Sequence, residues 1–516
     1  MIQSFFITEK KSYFIVSIIA FLILVPGSFQ LPLLDRDEPR FSRATVEMSE
    51  RENWIIPYFN SEFRFDKPPL TYWWMGVHHW LLGNNEFSSR LHSIIATWLI
   101  ALWMCSRGQH WVGRRGAVLG AICWLVNLQV WQHGRLALAD MPMVLCVCLA
   151  MDGLWTCVNG SSRNKILGPF FLWFGISFGF LSKGPIAFAV PLLALIFYFL
   201  WKKETNQPLS SLRPFLGFFV SLTIISLWGI PALVTTDGLF AREGIGTHVV
   251  ERGVSAFNDS SYTPFFYLGT FFLSFFPWWS QGKPILNHLK SFFSTKEFSF
   301  LATWFCIPFV LFSIYSTQLP HYLLPGFPAL FLITGKGIEG LWITKKRTLP
   351  IFESLFSLLF LILYLNSERL VDPDFPISLI PWAFLILFCL AWIPYCLISL
   401  HKIRFYLLLI GMASSSLFLA REMRKEHLTI KIQNVSQVIP TDDIVRFSSS
   451  FAEPSLVYYL GGPWKFGEEL KQDDNSSKLL FQVERFDNKL DGKDGVLVEG
   501  FNPARGKNEK VWVYLP

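Results

Sequence analysis

Long apolar runs alternate with short polar segments over the first 420 residues of the chain. A transmembrane helix needs about 20 mainly apolar residues, and thirteen runs approach that length. They lie near residues 12–31, 91–106, 116–132, 138–157, 166–182, 185–201, 213–235, 264–280, 299–316, 320–341, 348–366, 378–400 and 404–420. The pattern predicts a mainly α-helical, polytopic membrane protein with about 13 transmembrane helices.

Lysine and arginine are concentrated in every second connection between these predicted helices. Such basic residues include Lys10, Lys11, Arg107, Arg114, Arg115, Lys202, Lys203, Lys345, Lys346, Arg347, Lys402 and Arg404. Basic loops favour the cytoplasmic side of a membrane. The N-terminus is therefore predicted to lie inside, and the other connections lie outside.

Two of the predicted outer connections are long, residues 32–90 and residues 236–262. In the first, apolar or small side chains recur on one helical face, at Phe41, Ala44, Thr45 and Met48. Pro39 suits the first position of a helix because its missing N–H would have no partner there. The first outer loop is therefore predicted to hold an amphipathic helix that lies in the membrane interface.

After Ala420 the sequence becomes mixed and polar, with short β-type runs separated by Gly, Asn and Asp. These predicted strands include Pro454–Leu460, Lys478–Val483, Gly495–Glu499 and Lys510–Leu515. Thirteen spans place this part of the chain outside. We predict a transmembrane region over residues 1–424, which includes the large first periplasmic loop 32–90, and a small periplasmic α/β domain over residues 425–516.

Composition supports the membrane interpretation. The 516 residues are 52% hydrophobic and only 16% charged, whereas soluble proteins carry about 25% charged residues. A net charge of +7 would suggest nucleic acid in a soluble protein, but here the basic loops and phosphate binding account for it, and no nucleic-acid partner is expected. The eight cysteines lie in apolar runs without CxxC spacing, which is typical of buried thiols.

Charged and polar residues stand at the predicted outer ends of several helices. A charge at membrane depth costs at least a few kcal/mol and often marks a substrate or ion path. These residues include Asp35, Arg36, Asp37, Glu38, Arg40, Asp66, Lys67, Asp140, Lys183, His248, Arg252, His321 and Tyr322. Their shared side predicts an active site that a lipid-anchored substrate can reach.

Asp37 and Glu38 directly precede Pro39, and two interpretations of them stay open. An acidic pair can cap the helix and stabilise its dipole. Beside Arg40 and Arg43, a carboxylate can also deprotonate a nucleophile while the arginines hold a phosphate.

Lys67, Lys183 and Tyr322 are candidates for binding the same phosphate. Pro68 and Pro69 keep the backbone out of a helix and fix the height of Lys67, although a snorkelling lysine is the alternative. Lys183 lies in a short outer connection, where the positive-inside rule disfavours a basic residue. Tyr322 fits an interfacial aromatic belt equally well, or its phenol can donate to a phosphate oxygen.

Asp66, Asp140 and His248 offer two carboxylates and an imidazole to a divalent metal. The three residues are far apart in sequence, and only the fold can bring them together. The alternatives are that Asp140 caps a helix and that His248 is an exposed loop residue.

The order of these motifs resembles the bacterial aminoarabinose transferase (ArnT) family, within the protein mannosyltransferase superfamily of GT-C glycosyltransferases. The motifs are Asp37-Glu38-x-Arg40, Trp54 with Pro57, Lys67-Pro68-Pro69 with Trp73, Asp140-Met141-Pro142, Lys183-Gly184-Pro185, and Leu319-Pro320-x-Tyr322 with Pro325 and Pro328. The resemblance covers residues 30–340, and the later part of the chain matches only in layout.

The resemblance implies an integral glycosyltransferase of the bacterial inner membrane with its active site on the periplasmic side. Such an enzyme moves a sugar from a polyprenyl-phosphate carrier to lipid A or another periplasmic acceptor, with inversion at the anomeric carbon. The implied roles are Asp37 as the essential acid, Arg40, Lys67 and Tyr322 as donor-phosphate ligands, Lys183 and Arg252 as further basic residues, and Asp66, Asp140 and His248 near a divalent-metal site.

The chain departs from the family pattern at Asp66, where Glu is usual, at Gln318, where Lys is usual, and at Phe41, where Tyr is usual. The sugar, 4-amino-4-deoxy-L-arabinose or another, and the acceptor therefore stay open. Transfer of a different sugar to another glycolipid or a protein is the alternative. A lipid or sugar transporter is the rival from another class, but it should carry midplane charges and paired repeats.

Overall fold

The computed structural model describes residues 9–159, 166–202, 209–244, 263, 265–344, 348–365, 377–436, 444–467, 479–490 and 492–516. Most of these residues are helical. The helices of the first half are α1 (Glu9–Leu24), α2 (Asp37–Glu50), α3 (Leu70–Leu82), α4 (Glu86–Arg107), α5 (Gln109–Leu125), α6 (Leu128–His133), α7 (Asp140–Asn159), α8 (Leu167–Lys183), α9 (Ile186–Lys202) and α10 (Pro214–Thr235).

Nine further helices lie in the second half of the described chain. They are α11 (Phe266–Phe275), α12 (Trp279–His288), α13 (Lys296–Ser313), α14 (Phe327–Thr344), α15 (Ile351–Leu365), α16 (Ile380–Ile398), α17 (Lys402–Glu426), α18 (Leu428–Val435) and α19 (Pro454–Leu460). A 3₁₀ turn over Pro320–Gly326 leads directly into α14.

Five helical segments are long and apolar enough to cross a membrane. They are Asp140–Asn159, Leu209–Thr235, Lys296–Ser313, Ile380–Ile398 and Lys402–Glu426. Shorter apolar helices cover Leu167–Lys183, Ile186–Trp201, Phe266–Phe275 and Ile351–Ile362. The mainly helical membrane architecture is therefore confirmed, while the number of thirteen spans stays a prediction.

Two predicted helix boundaries are wrong. The run 264–280 is not one helix, because α11 ends at Phe275 and α12 begins at Trp279, and Pro277 between them lacks the N–H that a continuous helix needs. Helix α2 begins at Asp37 rather than at Pro39, and Arg36 before it makes no side-chain cap. Asp37 and Glu38 therefore belong to the first helical turn.

Close packing of α5 against α14 organises the helical core. A Cβ atom built on Gly335 would collide with the backbone of Gly116 and Gly120 on the facing helix. Small residues allow membrane helices to approach this closely and gain dispersion contacts. Trp124, on α5, is fully buried near this contact and donates its indole N–H to the Thr97 carbonyl.

Residues 444–514 contain a five-stranded sheet in the order β4-β3-β5-β7-β6. Its strands are β3 (Ile444–Ser448), β4 (Trp464–Phe466), β5 (Leu479–Arg485), β6 (Val496–Asn502) and β7 (Lys507–Tyr514). Strand β3 pairs in parallel with β4 and β5, and the other pairs are antiparallel. The sheet and helices α18 and α19 share a hydrophobic core around Phe481 and Leu456. The division at residue 425 stays a prediction.

Helix α2 and a two-stranded hairpin, β1 (Tyr58–Phe59) and β2 (Glu62–Phe63), lie in the first outer loop. The predicted apolar face of α2 is buried: Phe41, Ala44, Thr45 and Met48 are each at most 3% exposed. Phe41, Ala44 and Met48 pack with Tyr72 and Met75 of α3. The helix is therefore held by protein contacts on its apolar side, which fixes the height of its first turn.

Candidate active site

Glu38 is an anchor rather than a free acid. Its carboxylate is 1% exposed and is held by Arg90 of α4, with Nε–Oε1 and Nη2–Oε2 distances of 2.8 and 2.7 Å. The backbone N–H groups of Ala137 and Leu34 donate to the same carboxylate at 2.7 and 2.8 Å. A buried charge pair with all its oxygens bonded locks the first turn of α2 onto the helical region.

Asp37 differs from its neighbour because its side chain is exposed. Within the described residues Asp37 has no hydrogen bond and no ion pair, and the same holds for half-buried Arg40 one helical turn later. The two side chains interact electrostatically. A solvent-facing carboxylate thus stands beside an uncommitted guanidinium at the start of α2.

Arg64 extends this positive group from the end of the hairpin. Its Nη2 lies 2.9 Å from Asp66 Oδ2, and its Nε donates to the Tyr72 hydroxyl at 3.2 Å. The guanidinium also lies over the Phe41 ring, 5.4 Å from its centroid. Burial and the charge of Arg64 lower the pKa of Arg40, because the two guanidinium groups lie close together in a partly dehydrated environment.

Lys67 is held close to the carboxylate of Asp66. Its Nζ donates to Asp66 Oδ1 at 3.2 Å and to the Asp66 carbonyl at 2.9 Å. The lysine side chain is 20% exposed, so it is neither a snorkelling residue extended into water nor fully buried. Three cations, Arg40, Arg64 and Lys67, thus surround two carboxylates, Asp37 and Asp66, and the loop keeps an excess of positive charge.

A second cluster forms where α7, α8 and the 3₁₀ turn before α14 meet. Lys183 Nζ lies 2.5 Å from Asp140 Oδ1, and His321 Nε2 lies 4.0 Å from the same oxygen. The ring of His133 is tilted against that of His321, with centroids 4.6 Å apart. Gly184, with φ +84°, ends α8, so Lys183 is fixed at the helix end as the short connection predicted.

Tyr322 joins the second cluster, and Lys67 interacts with both clusters. Lys183 Nζ lies 5.5 Å from the centroid of the Tyr322 ring, in a cation–π arrangement. His321, the neighbouring residue, interacts electrostatically with Lys67 as well as with Asp140. The structure therefore brings Asp37, Arg40, Lys67, Asp140, Lys183 and Tyr322 into one contiguous region.

The ion pairs of Lys67 and Lys183 bear on the predicted phosphate and metal sites. Lys67 pairs with Asp66 and Lys183 pairs with Asp140, so each lysine already has a carboxylate partner. These same pairs commit the two carboxylates proposed as metal ligands, and the described residues contain no group of three or more His, Cys, Asp and Glu side chains suited to a metal. His248 and Arg252 lie outside the described residues.

Sequence reasoning missed Arg64, Arg90 and His133. Arg64 stands only three residues before Lys67 in the first loop, yet no spacing rule indicates that the hairpin turns it toward α2. Arg90 ends the same loop, and no local pattern in the sequence indicates that so distant a residue pairs with Glu38.

Two positions that depart from the family pattern have protein contacts. Gln318 accepts from the Thr263 backbone N–H at 3.1 Å, and Phe41 packs on Tyr72.

The sequence profile of the dolichyl-phosphate-mannose-protein mannosyltransferase family matches residues 66–230. Two curated relatives are undecaprenyl phosphate-alpha-4-amino-4-deoxy-L-arabinose arabinosyl transferases. The Erwinia tasmaniensis protein is 28% identical over 59% of this chain and 55% of its own. The Enterobacter sp. protein is 28% identical over 66% of this chain and 62% of its own. The match thus spans little more than half of these relatives.

Solved structures extend the likeness to the whole fold. ArnT from Cupriavidus metallidurans bound to undecaprenyl phosphate superposes with a TM-score of 0.79, at 18% identity, over 97% of each chain. The apo oligosaccharyltransferase of Archaeoglobus fulgidus superposes with a TM-score of 0.54, at 12% identity, over 88% of this chain and 64% of that one.

The chain therefore shares the fold of these two structures. The resemblance to ArnT that the motifs indicate is confirmed by the sequence and structure comparisons.

Proposed function

We propose that the chain is an integral membrane glycosyltransferase that uses a polyprenyl-phosphate-linked sugar as donor. The observation that carries this proposal is the first turn of α2. There Asp37 is exposed and Arg40 half-buried, and neither has a hydrogen-bond or ion-pair partner within the described part of the chain. A free carboxylate beside an uncommitted cation suits a reaction that takes a proton from one group and stabilises a phosphate on another.

In the proposed reaction the acceptor oxygen attacks the anomeric carbon of the donor sugar. The bond from that carbon to the carrier phosphate oxygen breaks, and the electron pair leaves with the lipid monophosphate. Asp37 takes the proton when the acceptor is a hydroxyl, whereas an acceptor phosphate needs Asp37 for positioning. Attack opposite the leaving phosphate inverts the anomeric configuration.

The leaving phosphate gains negative charge as the bond breaks, so the cations around it determine the rate. We assign Arg40 and Lys67 to that phosphate, with Lys183 and Tyr322 completing its surroundings and Arg252 of the second outer loop as a further ligand. Asp66 pairs with Lys67, and Asp140 pairs with Lys183. Both lysines are therefore preorganised rather than free. No step of the proposed reaction is assigned to a metal.

The finer assignment follows the names of the relatives. We propose 4-amino-4-deoxy-L-arabinose on undecaprenyl phosphate as the first donor to test, because the relatives are named for that donor. Lipid A is the first acceptor to test, because the motif resemblance implies it. The site would then face the periplasm from the inner membrane.

The test is transfer by the purified protein. Undecaprenyl-phosphate-linked sugars, aminoarabinose first, are supplied with lipid A or other glycolipids, and products are read by mass spectrometry. We expect one acceptor to gain one sugar mass while undecaprenyl phosphate is released. Movement of intact donor across a vesicle membrane without release of undecaprenyl phosphate would instead establish a transporter.

A further inference from the structure

The position of the Asp37 carboxylate is determined by the backbone on its two sides and not by contacts of its own side chain. Its side chain has no hydrogen bond to any described residue, so the segments on its two sides determine where the carboxylate stands. On one side Glu38 is locked by Arg90. On the other side residues 33–35 are held by a different part of the molecule.

Residues 33–35 bind helix α19, which lies more than 400 positions later in the chain. Asp35 Oδ1 accepts from the Ser455 backbone N–H at 2.9 Å. The Leu33 backbone N–H donates to the Tyr459 hydroxyl at 2.9 Å, and this hydroxyl donates to Glu86 Oε1 at 3.3 Å. Leu33 is fully buried, so its N–H has no water to replace the tyrosine.

Further contacts fix α19 and the sheet in register with the first loop. The Asn60 side chain exchanges two hydrogen bonds with the Trp464 backbone, at 2.8 and 2.6 Å. Tyr458 interacts with Ser42 of α2, and Phe59 packs against the core of the C-terminal sheet. The C-terminal region thus touches α2, its leading segment and its hairpin at separate points.

We propose that α19 is part of the catalytic unit: through Ser455 and Tyr459 it holds residues 33–35, and so positions Asp37 over the donor site. Asp35 and Tyr459 are positioning residues. This inference rests on the proposed function, in which Asp37 acts on the substrate. It divides the acidic group of the first loop into two anchors, Asp35 and Glu38, and one reactive carboxylate between them.

The test compares Asp35→Ala, Asp35→Asn and Tyr459→Phe in the full-length protein, with Glu499→Ala on the exposed edge of the C-terminal sheet as control. Losing one of these hydrogen bonds should lower kcat about tenfold and leave the KM for the donor within about twofold. Asp35→Asn keeps the acceptor oxygen, so it should retain at least about half of the wild-type kcat. Glu499→Ala should match wild type.

Hydrogen–deuterium exchange of residues 33–42 decides the anchoring independently of activity. Asp35→Ala and Tyr459→Phe should accelerate exchange there by about tenfold, while Glu499→Ala leaves it unchanged. Wild-type exchange in both variants would overturn the inference. Equal loss of kcat in Asp35→Asn and Asp35→Ala would overturn it too, because Asp35 would then act through its charge. A wild-type protein without transferase activity would contradict the proposed function, while the exchange result would still decide the anchoring.

Discussion

At the scale of single residues, three neighbouring acids of one loop have three different environments. Glu38 is buried and paired with Arg90, Asp35 bonds to the backbone of α19, and Asp37 faces solvent. Sequence alone offered helix capping and catalysis as alternatives for Asp37 and Glu38. Burial separates the two residues, because only an exposed and unpaired carboxylate can meet a substrate.

Arg40 is expected to act on the donor phosphate. Arg40→Ala should lower kcat/KM at least about tenfold, since a charge-assisted hydrogen bond contributes about 1.5–3 kcal/mol. The melting temperature should stay within about 2 °C of wild type, because Arg40 makes no hydrogen bond or ion pair with a described residue. Arg43→Ala on the same helix removes the ion pairs with Glu47 and Glu50 and serves as the control. Equal kinetics in both variants would remove Arg40 from the site.

Asp35 should make stability depend on pH. Burial raises its pKa to about 7, with the charge of Glu453 raising it further and Arg40 opposing this. Because folding raises the pKa of Asp35, the protonated carboxyl contributes its full stability below pH 4. This contribution is lost as the pH rises through 7. Asp35→Asn resembles the protonated acid. The variant should therefore gain melting temperature relative to wild type between pH 5 and 8, and a constant difference over that range would contradict this assignment.

At the scale of elements, the structure depends on contacts that join distant parts of the sequence. The amphipathic face of α2, the end of α8 at Lys183 and the β-type runs at residues 478–483, 495–499 and 510–515 followed local patterns, and these predictions were confirmed. The β-type run predicted at Pro454–Leu460 was wrong, because these residues form helix α19. The break at Pro277 and the Glu38–Arg90 pair were missed. A hydropathy window averages over a break in a helix, and no periodicity indicates which buried arginine meets which carboxylate.

The Glu38–Arg90 pair joins α2 to α4. Arg90→Met should lower the free energy of unfolding by about 3–5 kcal/mol, because it leaves a buried carboxylate without its cation. The double variant Glu38→Gln/Arg90→Met should cost clearly less than the sum of the two single changes. Both quantities can be measured by denaturant titration in mixed micelles. Additive costs would show that the two side chains are not energetically coupled.

At the scale of the whole molecule, residues from the first loop, from three helix ends and from the turn before α14 converge on one region. Their shared side was predicted from alternating basic loops, and their proximity in the structure agrees with that arrangement. The side of the membrane that this region faces stays a prediction, as do the thirteen spans. Neither follows from protein contacts, because orientation is determined by loop charge and the membrane.

Topology can be tested with single cysteines in a Cys306→Ser background, since Cys306 is the exposed native cysteine. Asn84→Cys, in an exposed turn of the first loop, should react with a membrane-impermeant thiol reagent from the periplasmic side. Ser210→Cys, exposed in a connection predicted to be cytoplasmic, should react only after the membrane is opened. The reverse pattern would invert the predicted topology and move the site to the cytoplasm.

The central claim is that Asp37 performs chemistry, and turnover by Asp37→Asn measures it most directly. Purified wild type and variant are compared with undecaprenyl-phosphate-linked sugar and acceptor, with Glu50→Gln on the exposed end of α2 as control. Asn caps helices as well as Asp, so the fold and carrier binding should persist. The account predicts that Asp37→Asn loses at least about 100-fold in kcat, while undecaprenyl phosphate still binds. Near-normal turnover would contradict it and leave Asp37 with a structural role.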